Sequence, residues 1–270
     1  MRSMNLLPDG FLSNVLEHWI SDTRSSSPEW FSLVFDVNRG AVHILTTLAP
    51  SRTSDRELMA AALFARALQS FEGSILLAER GMLADAGALA RSVVECAVFL
   101  GGVAYVEGFT QRMVGDNNKH YYKMAKAVAE QLEQWDDDGH AEDAKELRAL
   151  ISEVDEQGHK RSSINLQQLA KEIGMGPLYE FVYRRLSGDA AHPTIASLER
   201  HVGRGDIGQL KKLTFSPQRE GLESILSASI FALLAAMDAL GDVFARQDIR
   251  DKVATYNTRH HALSPSSADS

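Results

Sequence analysis

A chain of 270 residues with 44% apolar and 24% charged side chains can bury its own core without covalent staples. Its single cysteine, Cys96, excludes an internal disulfide framework and any zinc site that needs two thiolates from one chain. The net charge is -8. No unbroken apolar run reaches the roughly 18 residues of a membrane span, and Met1 to Gly10 lacks a secretory core. The expected address is therefore the cytoplasm, with no membrane partner.

In chain order, Ser27-Pro28-Glu29 reads as an N-cap followed by Pro at the first helical position, opening a helix that runs towards Leu48. Pro50 breaks the chain. Ser54-Asp55-Arg56-Glu57 is a capping-box pattern, and an Ala-rich helix follows to about Arg80. After Gly81, the segment from Met82 to Val106 carries only Asp85, Arg91 and Glu95 as charges, so it belongs at the centre of the fold. Gly87, Gly101 and Gly102 within it permit close helix approach. A polar helix from Thr110 to Trp135 and an acidic one from Ala141 to Glu156 come next. Asn165 with Gln168 opens a short helix ending near Gly174. Pro177 starts another that Gly188 stops, and His192-Pro193 opens one reaching about His201. Ser216-Pro217 caps the last long helix, from Leu222 through Leu240, and the polar tail from Thr255 reads as disordered.

The fold class is all-α, a multi-helix up-and-down bundle. Residues 1–50 form an N-terminal helical extension, 51–250 the bundle and 251–270 a disordered tail.

Charge is uneven along this bundle. From Glu130 to Arg161 eleven acids face four bases, which makes the acidic helix a candidate dock for a basic partner. From Leu178 to Arg219 seven bases face four acids, a local excess suited to an anion.

Two familiar patterns lack their context. Gly203-Arg204-Gly205-Asp206-Ile207-Gly208 matches G-x-G-x-x-G, but the residues before it read as helix, so it is a loop rather than a dinucleotide site. Glu156 and His159 form one E-x-x-H, where a di-iron bundle needs two. No metal site or cofactor is expected.

Arg91 and Glu95 are four residues apart on an otherwise apolar face, so each needs a partner. They form either an internal ion pair or the polar floor of a site, with Arg91 holding an anion. The densest chemical segment runs from Tyr179 to Pro193 and holds Tyr183, Arg184, Arg185, Ser187, Asp189 and His192. A helix stop at Gly188 places both arginines in a last turn, where they also complement the helix dipole. His192, ahead of Pro193, is then the N-cap of the next helix, with Arg185 nearby. Such a pair suits metal-free RNA cleavage. A near-neutral His moves the proton of the 2'-hydroxyl or of the leaving oxygen. A guanidinium takes the charge developing on phosphate.

The segments Arg91-Ser92-Val93-Val94-Glu95 and Tyr183 to Pro193 resemble a bacterial family of helical proteins of unknown function, across roughly Ser54 to Phe244. That family is similar, more distantly, to the HEPN superfamily of helical bundles. The resemblance implies a metal-independent endoribonuclease of a toxin or phage-defence type, acting on RNA as a homodimer. Arg185 and His192 would be catalytic, with six residues between them, within the four to six of that superfamily. Arg184, Arg91, Glu95, Ser187, Asp189 and Tyr183 would bind the anion or support the site. Leu186 departs from the pattern, because active members carry a polar residue straight after the Arg. The alternatives are a non-catalytic nucleotide- or anion-binding module and a protein-interaction module.

Overall fold

Apolar spacing sets three long helices at the centre of an all-α, multi-helix bundle. The fold was obtained as a computed structural model that describes residues 9–135, 138–156, 161–190, 198, 201–204, 210–213 and 215–264. The helices are α1 (Leu16–Ser26), α2 (Pro28–Thr47), α3 (Asp55–Ala78), α4 (Leu83–Tyr105), α5 (Phe109–Leu132), α6 (Asp138–Glu156) and α7 (Leu166–Glu172). A π-helix (Leu178–Tyr183) runs directly into α8 (Arg184–Ala190). Two helices close the chain, α9 (Leu222–Val243) and α10 (Gln247–Leu263). Between α8 and α9, β1 (Val202–Arg204) pairs antiparallel with β2 (Leu210–Leu213), where helix and then loop were expected.

The chain divides into two compact units, residues 106–166 and the remainder. In the larger unit α3, α4 and α9 pack on one another. Phe64, Phe71, Leu100, Leu226, Ile230 and Leu233 are fully buried among them. Two serines make the close packing polar-tight. Ser74 Oγ donates to the Ala86 carbonyl at 2.9 Å and lies 3.0 Å from Ser229 Oγ, so no buried hydroxyl is left unpaired there.

By composition and length α4 and α9 are each sufficient to cross a membrane, a property that a search for unbroken apolar runs does not detect. Here 61% and 67% of those stretches are buried inside the protein, as expected of core helices. Of the three glycines in α4, Gly101 marks the tightest approach. A Cβ there would stand 2.6 Å from Ile173 Cδ1.

Several boundaries are set differently from expectation. Ser54 caps α3 as read, its Oγ accepting from the Glu57 amide at 3.3 Å. Glu57 completes the box one turn earlier, accepting from the Ser51 amide at 2.8 Å. Ser27 is the N-cap of α2 with Pro28 in the first turn, as read, but its hydroxyl makes no capping bond; it donates to Glu223 Oε1 at 2.8 Å and ties α2 to the first turn of α9. Ser216-Pro217 does not open α9. Gly221 does, at φ +89°, a conformation that favours glycine.

The expected division at residues 50 and 250 does not follow the packing. α2 packs on α3, α9 and α10 and belongs to the main unit. The tail from 251 is helical as far as Leu263. Ile249, Val253 and His260 form its buried stripe, while its outward residues are polar, which is why composition alone suggested disorder. Tyr256 Oη donates to the Asp36 carbonyl at 3.1 Å and Arg259 pairs with Asp36 at 2.7 Å. That guanidinium holds the Asp36 carboxyl below the ordinary range.

One carboxylate, Glu79, is buried at the end of α3 with 2% exposure. Arg24 donates to its Oε2 through Nε at 3.0 Å and Nη2 at 2.7 Å, and Arg80 reaches Oε1 at 3.2 Å. Arg24→Ala is expected to cost about 1–3 kcal/mol by leaving Oε2 without its donors. A urea titration checks this, and a midpoint equal to wild type would show that Arg80 alone suffices.

In the smaller unit α5 packs on α6. Residues 161–164 lie along α5, with Ser162 Oγ donating to the Arg112 carbonyl at 2.8 Å and the Ile164 amide to Asp116 Oδ1 at 2.9 Å. Arg148 forks onto Glu133 at 2.7 and 2.9 Å. Ala144 is the buried anchor of the acidic helix, and its described acids, Glu142, Asp143, Glu146, Glu153 and Asp155, are exposed.

Candidate functional site

The residues singled out from sequence separate into two groups, both in the larger unit. The first lies where α4 meets the π-helix. In α4, Arg91 and Glu95 occupy one face and pair at 3.3 Å. Across from them Tyr183 Oη accepts from Arg91 Nη2 at 2.6 Å and donates to Glu95 Oε1 at 3.0 Å. The Arg91 guanidinium also lies 4.6 Å from the centre of the Tyr183 ring, and Tyr179 stacks on that ring at 4.8 Å. Burial pushes the Tyr183 phenol above its ordinary pKa, with Arg91 opposing and Glu95 reinforcing the shift. Tyr183 therefore stays protonated and keeps its donor to Glu95.

The π-helix produces this juxtaposition. The Arg184 amide bonds back five residues to the Tyr179 carbonyl, which widens the turn. Single π turns are concentrated at functional positions in proteins. Arg91 and Glu95 are part-exposed, at 25% and 40% of their side chains, so the pair lies at the surface of the bundle rather than sealed inside it.

Helix α8 continues through Ala190 instead of stopping at Gly188. Arg184 and Arg185 therefore lie in its first turn, and complementing a helix C-terminus does not account for them. Consecutive residues point in different directions on a helix. Arg184 pairs with Glu180 at 2.9 Å, and Glu180 also accepts from Gln167 at 2.9 Å. Ser187 Oγ donates to the Tyr183 carbonyl at 2.7 Å, so its hydroxyl is spent on the helix backbone. Leu186 is buried and packs towards Gly87, where an added Cβ would stand 3.6 Å from its Cδ2.

Arg185 faces away from the Arg91 group. It donates to Ser224 Oγ on α9 and lines a cavity of about 470 Å³ together with Phe231, His260 and His261. Arg91, Glu95 and Tyr183 do not line that cavity. Asp189 belongs to α8 by its backbone, and its side chain lies outside the described residues, as do His192, His159 and residues 205–209. Gly203 and Arg204 sit in β1, which is followed by the antiparallel β2 and not by a phosphate-binding helix. Burial pushes the Cys96 thiol up to about 11, which removes it as a nucleophile at neutral pH.

Ser224, His260 and His261 escaped the sequence reading, and Tyr179 entered it only as the start of the dense segment. For the two histidines the signal was present: Ile249, Val253 and His260 recur at spacings of four and seven, a stripe that runs into the stretch set aside as disordered.

No curated protein and no solved structure matches this chain. Residues 57–209 match a family model described as a family of unknown function, DUF5677, and span α3 through β1 with both arginine groups inside the match. The chain belongs to that family of unknown function.

Proposed function

We propose that this chain is a HEPN-like protein that holds an RNA phosphate on Arg185 and cleaves the strand without a metal, with His192 as general base or acid. The observation that supports Arg185 is electrostatic. Arg91 and Arg184 are each neutralised by a carboxylate, Glu95 and Glu180. Arg185, among the described side chains, is met by a hydroxyl and no carboxylate, and it is exposed at the mouth of a cavity. A guanidinium that no described carboxylate engages is the one suited to take a phosphate. In this reading Arg91, Glu95 and Tyr183 brace α4 against the π-helix, and Ser187 steadies the turn that carries Arg185. The resemblance further implies a homodimer of a toxin or defence type.

The test is RNA cleavage by purified protein with EDTA present, wild type beside Arg185→Ala. Wild type is expected to leave 2',3'-cyclic phosphate ends, and Arg185→Ala to be slower by about a hundredfold or more. Equal rates would overturn the assignment of Arg185.

The burial of Leu186 favours a second reading, because the place where active relatives by resemblance hold a polar side chain is here given to the core. In that case the protein binds a nucleotide or another anion and turns nothing over. Thermal stabilisation by ligand, lost in Arg185→Ala and without RNA cleavage, would identify it.

A further inference from the structure

Residues 106–166 make a unit that is short of a core. Two helices and the strap 161–164 compose it. On those helices only Phe109, Gly115, Ala129 and Ala144 are buried among the described residues. A pair of helices ordinarily gains a further layer against which to bury its apolar stripes.

One side of this pair is apolar and uncovered. On α5, Val114, Tyr121 and Val128 recur every seventh residue, with Met124 between the last two. The four therefore share one helix face, and each is about half exposed. On α6, Leu150 is 58% exposed, and Val154 follows it one turn later. Tyr121, Leu150 and Val154 line one groove of about 310 Å³ between the two helices, with the less exposed Leu147 and Ile151 beneath them.

The α6 edge of that face is acidic. Asp143, Glu146, Leu150 and Glu153 follow at intervals of three, four and three, so the acids flank Leu150 along one side of the helix. All three acids are exposed. The bases of α6 are engaged elsewhere: Lys145 pairs with Glu142 at 3.3 Å, and Arg148 forks onto Glu133. A negative edge beside an apolar face repels RNA and anionic lipid, and it repels a second copy that brings the same acids. It attracts a helix whose apolar stripe is bordered by Lys or Arg.

We propose that this face of the smaller unit is the docking site for a basic amphipathic helix of a partner protein. The apolar stripe of that helix lies over Tyr121, Met124 and Leu150, and its Lys or Arg edge faces Asp143, Glu146 and Glu153. The partner thereby supplies the missing layer. Acidic composition alone pointed to α6; the apolar groove beside it specifies a helix as what docks there. The assignment does not rest on Arg185 or on RNA cleavage.

The test uses the whole chain and a fluorescent peptide of leucine and lysine, about 18 residues or five turns long, with its leucines on one helix face. Fluorescence anisotropy is expected to give a Kd of about 10 μM or tighter. A peptide of the same composition with its leucines scrambled, and one with Glu in place of Lys, are each expected to bind about tenfold more weakly or worse. Tyr121→Ala with Leu150→Ala truncates two exposed anchors. It is expected to keep the helical circular dichroism and to weaken binding by about tenfold or more. Asp143→Lys with Glu146→Lys reverses the edge and is expected to cost as much. Glu17→Lys with Asp22→Lys makes the same change of charge on α1 and is expected to leave the Kd within about twofold. Equal binding of ordered and scrambled peptides, indifference to Tyr121 and Leu150, or an equal loss in the α1 variant would overturn the proposal. In sedimentation without peptide, the Tyr121 and Leu150 variant is expected to keep the association state of wild type. A wild-type oligomer that this variant dissociates would show that a second copy covers the face, and would overturn the proposal as well.

Discussion

His192→Ala is expected to slow metal-free RNA cleavage by about 10²–10⁴-fold while leaving the helical circular dichroism unchanged. The size follows from the chemistry. Without a metal, the 2'-hydroxyl must lose its proton to a side chain as it attacks phosphorus. Among side chains only an imidazole ordinarily titrates near neutral pH. Alanine removes the proton acceptor but leaves Arg185 to hold phosphate, so binding should persist where turnover does not. A parallel binding measurement with uncleavable 2'-deoxy substrate separates the two effects. If turnover continues at an undiminished rate, His192 is not the base. If binding collapses as well, its role is positioning.

Leu186→Asn is expected to destabilise the protein by about 3–4 kcal/mol and to give no gain in cleavage. Leu186 is 5% exposed. A Cβ at Gly87 would lie within 3.6 Å of both Leu186 Cδ2 and Ile225 Cδ1, so the glycine leaves room for these two side chains. Asparagine at this position loses the apolar burial and leaves an amide without partners in a dry contact. Leu186→Met, which conserves volume and polarity, should stay within about 1.5 kcal/mol of wild type. Urea titrations of the three proteins give the comparison. An asparagine variant as stable as wild type would show the position to be adaptable. The departure from the HEPN pattern would then reflect the chemistry of the site rather than the demands of the core.

The central helices were legible in the sequence because their burial is written in composition. Met82 to Val106 carries three charges, and α4 lies between α3 and α9. The pairing of Arg91 with Glu95 was also legible, since residues four apart on a helix share a face. Tyr183 as the third member was not, because nothing in the spacing shows that a π turn brings it over Arg91.

The C-terminal helix was missed for a different reason. Of its seventeen residues only Ile249, Val253 and His260 are buried, so the apolar stripe is too thin for composition to reveal. Its stability as a helix comes from α2 and α9 against it, including the Asp36–Arg259 pair.

By itself, then, the sequence determined an all-α bundle and the helices at its centre, and it singled out a set of arginines and a histidine as candidates. Helical periodicity and the spacing of charged residues are local properties, and they can be read without a fold. The tertiary structure alone decided that Arg91 and Arg184 meet carboxylates across turns and helices, while Arg185, among the described side chains, meets a hydroxyl. It also placed Arg185 in one cavity with two histidines from the far end of the chain. Those outcomes depend on which side chains meet across helices, and such meetings are set by packing between distant segments, not by the order of residues along any one of them.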